Sequence, residues 1–529
     1  MADTDSATVK DVFVIGGGIN GCGIARDVAG RNLSVTLAEM GDLAQATSSA
    51  STKLFHGGLR YLEFFEINLV RHALEERETL LRAMPHISWP MRFVLPYHRD
   101  MRFDTETPAS KIVNTVMPWM KGRRPAWMIR FGLFLYDNLG GRKILPGAWS
   151  VNLRKSAIGA PLQNKFQKAF EYSDCWVQDA RLVVLNARDA EARGARVMTR
   201  TKVTEASRDG DAWTITTEDL QTGRTETHRA KVLVNAGGPW VEDIVRGVVR
   251  LNTTEGVRLV RGSHIVTKKL YDHDKCYFFQ GTDGRIIFAI PYEEDFTLIG
   301  TTDADHDGDP LAAEATEVEQ DYLCAFASQY FQKPVTRDDV VWSYSGVRPL
   351  YDDGAKSATA ATRDYVLSLD ETGPPILSVF GGKITTYRKL AEDTFDKIAK
   401  FFPGAPDHWS AGVTLPGGDF AVKGAPQLEQ SFRDKYPFMT AYWARRMLRH
   451  YGTETFEILG EAADADALGE DFGATLTAAE INWLMAKEYA VTAEDVVWRR
   501  TKLGLRLTKD QIARIDKYMA DKGQAVAAE

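Results

Sequence analysis

The chain has 529 residues, 44% hydrophobic and 26% charged, with a formal net charge of −7. That length is too great for one compact core and predicts two or three domains of an ordinary globular chain, while the acidic balance gives no bias towards nucleic acid. Four scattered cysteines (Cys22, Cys175, Cys276, Cys324) argue against a disulfide framework or a cysteine metal site and fit a reducing compartment. No apolar stretch approaches the roughly 18 residues of a membrane-spanning helix, and MADTDSATVKD lacks a signal-peptide pattern, so an intracellular protein is expected.

The first predicted element is a buried parallel strand, Val12-Phe13-Val14-Ile15, breaking into Gly16-x-Gly18-x-x-Gly21. Gly16 allows the turn, Gly18 lets the backbone approach a pyrophosphate, and Gly21 lets the following helix pack close to the sheet. That helix N-terminus offers N–H groups and positive dipole to phosphates. A second strand, Ser34–Ala38, ends at Glu39, 18 positions past Gly21 and near the roughly 20 expected of a ribose-gripping acid. Strand, glycines, helix, strand and acid in this order predict a dinucleotide site, of either NAD or FAD. Cys22, inside the turn, reads as a small packing residue.

Next comes a run of small and hydroxyl residues, Asp42–Ser51, then Lys53-Leu54-Phe55-His56-Gly57-Gly58-Leu59-Arg60-Tyr61. Small side chains permit close approach to an extended cofactor, and hydroxyls supply neutral hydrogen bonds. Residues 112–143 interleave Trp119, Trp127, Phe131 and other apolar residues with Lys121, Arg123, Arg124 and Arg130. This pattern reads as an interfacial membrane surface or as an amphipathic helix packed on the core. Two later strands also end in glycine breaks: Lys231–Asn235 before Gly237-Gly238, and Ile376–Phe380 before Gly381-Gly382-Lys383. Ligands lie outside the carboxyl ends of parallel strands, so a cofactor domain assembled from such distant segments favours FAD over a compact NAD module. Between them, Gly284–Ile290 and Phe296–Gly300 suit an antiparallel pocket floor. Residues 401–529 read as helical, since Thr477-x-x-Glu480, Thr492-x-x-Asp495 and Thr508-x-x-Gln511 are capping-box signatures; Arg499-Arg500-Thr501-Lys502 reads as a solvated helix face.

IGGGINGCGIARD, ATSSASTKLFHGGLRYLE, FEYSDCWVQDARLV, RGSHIV, IGTTD, YSGVRPL, TRDY and FGGKITTYRKLAE, with LPGGD and VVWRRTKLG towards the C-terminus, occur in the order expected of a family. Over nearly its whole length the chain resembles the bacterial FAD-dependent, membrane-associated glycerol-3-phosphate dehydrogenases. Residues about 102–122 depart from the family as an insertion. The resemblance implies oxidation of sn-glycerol 3-phosphate to dihydroxyacetone phosphate, a non-covalent FAD, electron transfer to a membrane quinone, and peripheral attachment to an anionic inner-membrane surface from the cytoplasmic side. Oligomeric state stays open, a homodimer included. The fold class expected is α/β: a two-domain flavoenzyme with a discontinuous Rossmann-like FAD domain (1–75, 170–242, 350–400), a substrate and membrane-facing part (76–169, 243–349) and a C-terminal helical domain (401–529).

By the same resemblance Gly16, Gly18, Ile19, Asn20, Gly21, Glu39, Thr47, Ser48, Ser49, Val203, Gly237, Gly381, Gly382, Lys383 and Thr385 hold FAD. Arg60, Tyr61, His264, Arg348, Arg363 and Lys383 line the substrate pocket. Arginine suits a phosphate clamp because its planar fork is bidentate and stays charged. His264 is expected to accept the hydroxyl proton, directly or through water, during hydride transfer to the flavin, its ordinary pKa near 6.5 suiting that task; at the start of an apolar strand it reads otherwise as a hydrogen-bonded structural residue. Arg348 is expected to stabilise the developing negative oxygen. Lys383 is a cation for either flavin or phosphate. Competing readings are an oxygen-using glycerol-3-phosphate oxidase, an amine or amino-acid oxidase on the same plan, and a non-enzymatic flavin-binding protein.

Overall fold

Strand β1 (Val9–Ile15), fully buried from Val12 onwards, pairs in parallel with β2 (Val35–Ala38) on one side and Thr225–Asn235 on the other. Ile376–Phe380 extends this parallel arrangement beyond Thr225–Asn235, and Arg196–Met198 extends it beyond β2. Segments far apart in sequence therefore end on one side of one sheet, each at its glycine break. A computed structural model provides this architecture for residues 8–98, 107–108, 111, 115, 124–253, 255–281, 284–352 and 364–528. Helix α1 (Ile19–Gly30) packs against helices Asp179–Ala192 and Tyr387–Ile398, and its Val28, Ile24 and Ala25 enter the core that covers the sheet.

A second, ten-stranded sheet is built around Val257–Lys268, paired antiparallel with Val340–Tyr351 and Phe296–Gly300. It continues through Ile286–Tyr292 and Cys276–Gln280 to Ser88–Tyr97 and Lys168–Val177, with Cys276–Gln280 and Ser88–Tyr97 parallel. The sheet is thus mixed and larger than the floor expected over 243–349. The boundary expected at 170 falls inside Lys168–Val177, whose residues are buried on both faces from Ala169 on and so show no alternation. Leu54–Phe55 also joins this sheet, within the span assigned to the cofactor domain.

Two helices flank the site. Helix α2 (Ile67–Ala83) buries Val70, Leu74, Arg77 and Leu81. Helix α3 (Ala126–Leu139) buries Leu133 and Tyr136 but exposes Trp127, Phe131 and Phe134. All of the 102–122 insertion but residues 107–108, 111 and 115, and most of the basic–aromatic run before Arg124, lie outside the described residues.

The C-terminal part is helical, with its own core around Phe432, Trp443, Met447, Leu484 and Val496. Two capping boxes form as reciprocal bonds, Thr492 with Asp495 and Thr508 with Gln511. The third does not. Thr477 precedes helix Ala478–Lys487 without a side-chain cap bond, because both Glu480 carboxylate oxygens accept from the buried Arg446 guanidinium, at 2.6 and 2.7 Å. The arginines of the expected solvated face are buried as well: Arg499 and Arg500 reach across to Asp42, in the loop after Glu39. Paired charges survive burial where isolated ones do not, and local sequence cannot reveal a partner more than 400 residues away.

Candidate active site

The three glycine breaks open onto one elongated cavity of about 1010 Å³. Gly16 has φ +108°, and a Cβ there would lie 2.5 Å from the Ala236 carbonyl oxygen. Such a close approach of two strand ends leaves room only for glycine. At Gly21 a Cβ would strike the Gly16 carbonyl oxygen at 1.8 Å, so this glycine serves close packing and stays off the cavity wall. The N-cap of α1, Gly18, offers no side-chain bond, and the Ile19 N–H donates to Ser48 Oγ at 3.0 Å.

Glu39 accepts from the Gly17 N–H at 2.6 Å and the Gly41 N–H at 2.8 Å while lining the cavity. Burial pushes its carboxyl up, against the two N–H groups that favour the anion. Asn20 donates to the Gly381 carbonyl, whereas its buried Oδ1 has no protein partner. An uncapped helix N-terminus, a ribose-height carboxylate, a glycine cradle and an orphaned amide oxygen fit a dinucleotide lying along this cavity. Thr47, Ser48, Val203, Gly237, Gly381, Gly382, Lys383 and Thr385 also line it. Ser49 does not: its hydroxyl turns back onto the Ala46 carbonyl. Cys22 is buried with its thiol pushed well up by burial, as a packing residue would be.

Arg60, Tyr61, Arg348 and Lys383 line the same cavity, with Lys383 Nζ 4.3 Å from the Tyr61 ring centre. Arg348 is aimed by Asp303, at 2.5 Å, and by Thr301 Oγ1, at 3.1 Å. Gly262 makes room for it, since a Cβ there would meet the guanidinium at 2.3 Å. Arg363 lies outside the described residues.

His264 is not on the cavity wall. Its ring is 1% exposed, stacks on Tyr344 with centroids 4.8 Å apart, and meets Thr52 Oγ1 at 3.0 Å through Nε2. Burial, then Arg348 and Lys53, hold its pKa well below the usual value. The strand residue that sequence marked as the proton acceptor therefore stands one layer back, behind Thr52, which does line the cavity. The histidine on the wall is His56, from the loop between Leu54–Phe55 and the turn Leu59–Phe64. Burial, then the Lys383 and Arg77 cations, push His56 down to about 4, so it is neutral at pH 7 and able to accept a proton. Sequence reasoning placed His56 within the run Lys53–Tyr61 and gave it no catalytic role. It also gave no role to Asp174, inside the motif FEYSDCWVQDARLV, to Arg285, beside Gly284, or to Phe278, all of which reach the wall. The hydroxyl-rich loop is fixed from below: Asp179 accepts from Ser51 Oγ at 2.7 Å and pairs with the buried Lys53 ammonium at 2.7 Å.

Such a doubly layered molecule, with a nucleotide cradle joined to a cation-lined pocket, is of the dinucleotide-dependent oxidoreductase class. Residues 11–388 match the family model described as FAD dependent oxidoreductase, and 409–524 match the C-terminal domain of alpha-glycerophosphate oxidase. The chain is 48% identical to D-erythritol 1-phosphate dehydrogenase of Brucella abortus over 95% of its length and 96% of that protein. It is 45% identical to the aerobic glycerol-3-phosphate dehydrogenase of Escherichia coli, over 97% of each. The crystal structure of the glycerol-3-phosphate dehydrogenase from Bacillus halodurans complexed with FAD superposes with a TM-score of 0.71 at 27% identity, covering 98% of this chain and 95% of that one. The chain belongs to the family of FAD-dependent oxidoreductases that includes the glycerol-3-phosphate dehydrogenases, and FAD is its cofactor.

Proposed function

We propose that the chain oxidises sn-glycerol 3-phosphate at C2 to dihydroxyacetone phosphate and passes the electrons to a membrane quinone. The observation that carries this reading is that the cavity lined by the glycine cradle and Glu39 also holds the cations Arg60, Arg348 and Lys383 and the neutral His56. Bound FAD supplies the hydride acceptor. Arg60, Arg348 and Lys383, joined by Arg363 in this reading, offer charge-assisted bonds to a phosphate dianion. His56 removes the hydroxyl proton, and Arg348, held by Asp303, stabilises the oxygen as its charge develops. His264 acts through Thr52 on the shape of the wall.

Identity with the erythritol phosphate enzyme supports a second reading, a four-carbon polyol phosphate as substrate. Both substrates present a carbinol beside a CH2–O–phosphate, so the same clamp and base serve either. Steady-state turnover of glycerol 3-phosphate and D-erythritol 1-phosphate with a quinone analogue tests the choice. The first reading requires the larger kcat/KM for glycerol 3-phosphate, and stoichiometric peroxide in air would move the reading to an oxidase.

Quinone use and peripheral attachment to the cytoplasmic face of the inner membrane are supported by one surface. No helix among the described residues is long and apolar enough to cross a membrane. Phe65 and Ile67 near the start of α2 and Trp127, Phe131 and Phe134 on α3 are exposed, the last at 60%. The ion pair Arg124–Glu63, at 2.7 Å, ties the two stretches together, and the neighbouring Phe64 lines the cavity. Exposed aromatics beside basic residues suit the lipid interface.

A further inference from the structure

Helix α3 carries a buried phenol, Tyr136, on the face opposite its exposed aromatics. Its hydroxyl lies 2.8 and 2.9 Å from the two Asp174 carboxylate oxygens and 2.7 Å from the Gly57 N–H. A phenol has one proton to give. An ionised carboxylate only accepts, so Tyr136 donates to Asp174 and its lone pair receives the Gly57 N–H. Arg77 on α2, 3% exposed, donates to Asp174 at 2.6 Å and to the Ser173 carbonyl at 2.8 Å; burial pushes the Asp174 carboxyl up to about 6 and the Arg77 charge opposes it, so at neutral pH the carboxylate is charged and the chain of bonds runs one way.

Gly57 N–H belongs to the same peptide plane as the His56 carbonyl. Fixing that N–H fixes the plane from which the His56 side chain departs. Packing enforces the same position: a Cβ on Gly57 would meet Leu74 Cδ2 at 2.5 Å and the Tyr136 ring at 2.9 Å. A Cβ on Gly140, just past α3, would meet Leu74 Cβ at 2.4 Å, so α2 and α3 close on each other around this loop. Asp174 itself reaches the cavity wall, so the network ends where the chemistry occurs.

We propose that Tyr136, held by the Asp174–Arg77 ion pair, is a positioning residue that sets the geometry of His56 for proton removal. The proposal rests on the reading of His56 as the proton acceptor. Without its hydroxyl the Gly57 N–H becomes a buried donor with no acceptor, and the loop shifts to find one. A displacement of order 1 Å at a reacting group costs about 100-fold in rate.

The test is anaerobic stopped-flow reduction of the flavin by glycerol 3-phosphate in the holoenzymes Tyr136→Phe, His56→Asn and the double variant. The proposal requires Tyr136→Phe to reduce about 10- to 100-fold more slowly at saturating substrate, with substrate affinity and flavin spectrum like wild type, FAD retained and a melting temperature lowered by no more than a few degrees. It also requires the double variant to be no slower than His56→Asn alone, since residues acting through one another are not additive. A slow His56→Asn beside a Tyr136→Phe of wild-type rate overturns the positioning role and leaves the base reading standing. Multiplying defects, or loss of FAD and thermal stability together with rate, make Tyr136 a structural residue and also overturn it. A His56→Asn of wild-type rate removes the base reading and the proposal with it.

Discussion

Arg500 and Asp42, 458 positions apart, form a bidentate ion pair at 2.7 and 2.8 Å, with side chains 0% and 1% exposed. Arg499 donates to the same carboxylate at 2.5 Å. The C-terminal helical part is thereby bonded to the loop that follows the ribose acid. Removing one partner of a buried pair costs about 3–5 kcal/mol where the other charge is left uncompensated; Arg499 still holds Asp42, so the loss of Arg500 costs less than that. Arg500→Ala is expected to lower the melting temperature and weaken FAD retention together, measured by thermal unfolding with flavin fluorescence. An unchanged transition with FAD retained contradicts this.

The two histidines separate cleanly. His56→Asn is expected to slow flavin reduction about 100- to 10,000-fold at saturating substrate, the range for a lost acid–base group. His264→Asn keeps a hydrogen bond to Thr52 and is expected to retain most of the rate. Stopped-flow traces of both variants check the order, and a reversed order returns His264 to the proton-acceptor role that the family resemblance implies.

Protonation of His56 removes the base, so activity falls as pH drops through its pKa. That pKa is about 4 in the ligand-free protein, through burial and the Lys383 and Arg77 charges. After correction for the substrate phosphate, whose second ionisation lies near pH 6, the loss due to His56 in kcat/KM sets in below about pH 5, beneath any step from Asp174, whose carboxyl burial pushes up to about 6. A bound dianion offsets the nearby cations and raises the pKa, so the acid limb of kcat lies at higher pH than that of kcat/KM. Coincident limbs near 6.5 contradict this placement.

Arg348→Ala removes a charge-assisted phosphate or oxygen contact and leaves Asp303 without its 2.5 Å partner. A loss of roughly 1.5–3 kcal/mol, or about 10- to 150-fold in kcat/KM, is expected with FAD retained. Steady-state kinetics with a soluble dye measure it, and a fall in kcat as well assigns Arg348 to the transition state. Wild-type constants remove it from the site.

Replacing Trp127, Phe131 and Phe134 by Ser strips the exposed face of α3 and leaves its buried Leu133 and Tyr136 untouched. Apolar burial at about 25 cal/mol per Å² supports docking there. The variant is expected to leave anionic vesicles in flotation while dye-linked activity persists and activity with a long-tailed quinone falls. Flotation like wild type places the contact elsewhere.

The cofactor half of this molecule was legible because its signals are local. Gly16 to Glu39 and the breaks at Gly237 and Gly381 each sit at a strand end, and parallel strands bring such ends together whatever the distance in sequence. The substrate half was less so. Arg60, Arg348 and Lys383 came from family motifs and line the cavity, but which histidine faces it depends on the pleat of Val257–Lys268, which turns His264 into the stack with Tyr344. Arg499 and Arg500 looked solvated because Asp42 is distant in sequence. Glu480 carried a capping signature, yet Arg446 on a neighbouring helix, with two charged bonds, outcompetes a neutral threonine.

Anaerobic titration of the purified flavoprotein with glycerol 3-phosphate, followed through the flavin absorption band, tests the central claim most directly. The account predicts complete bleaching of a chromophore that acid precipitation then releases into solution, with dihydroxyacetone phosphate formed in equal amount. A flavin that stays oxidised at saturating glycerol 3-phosphate, while dithionite reduces it, would contradict the account.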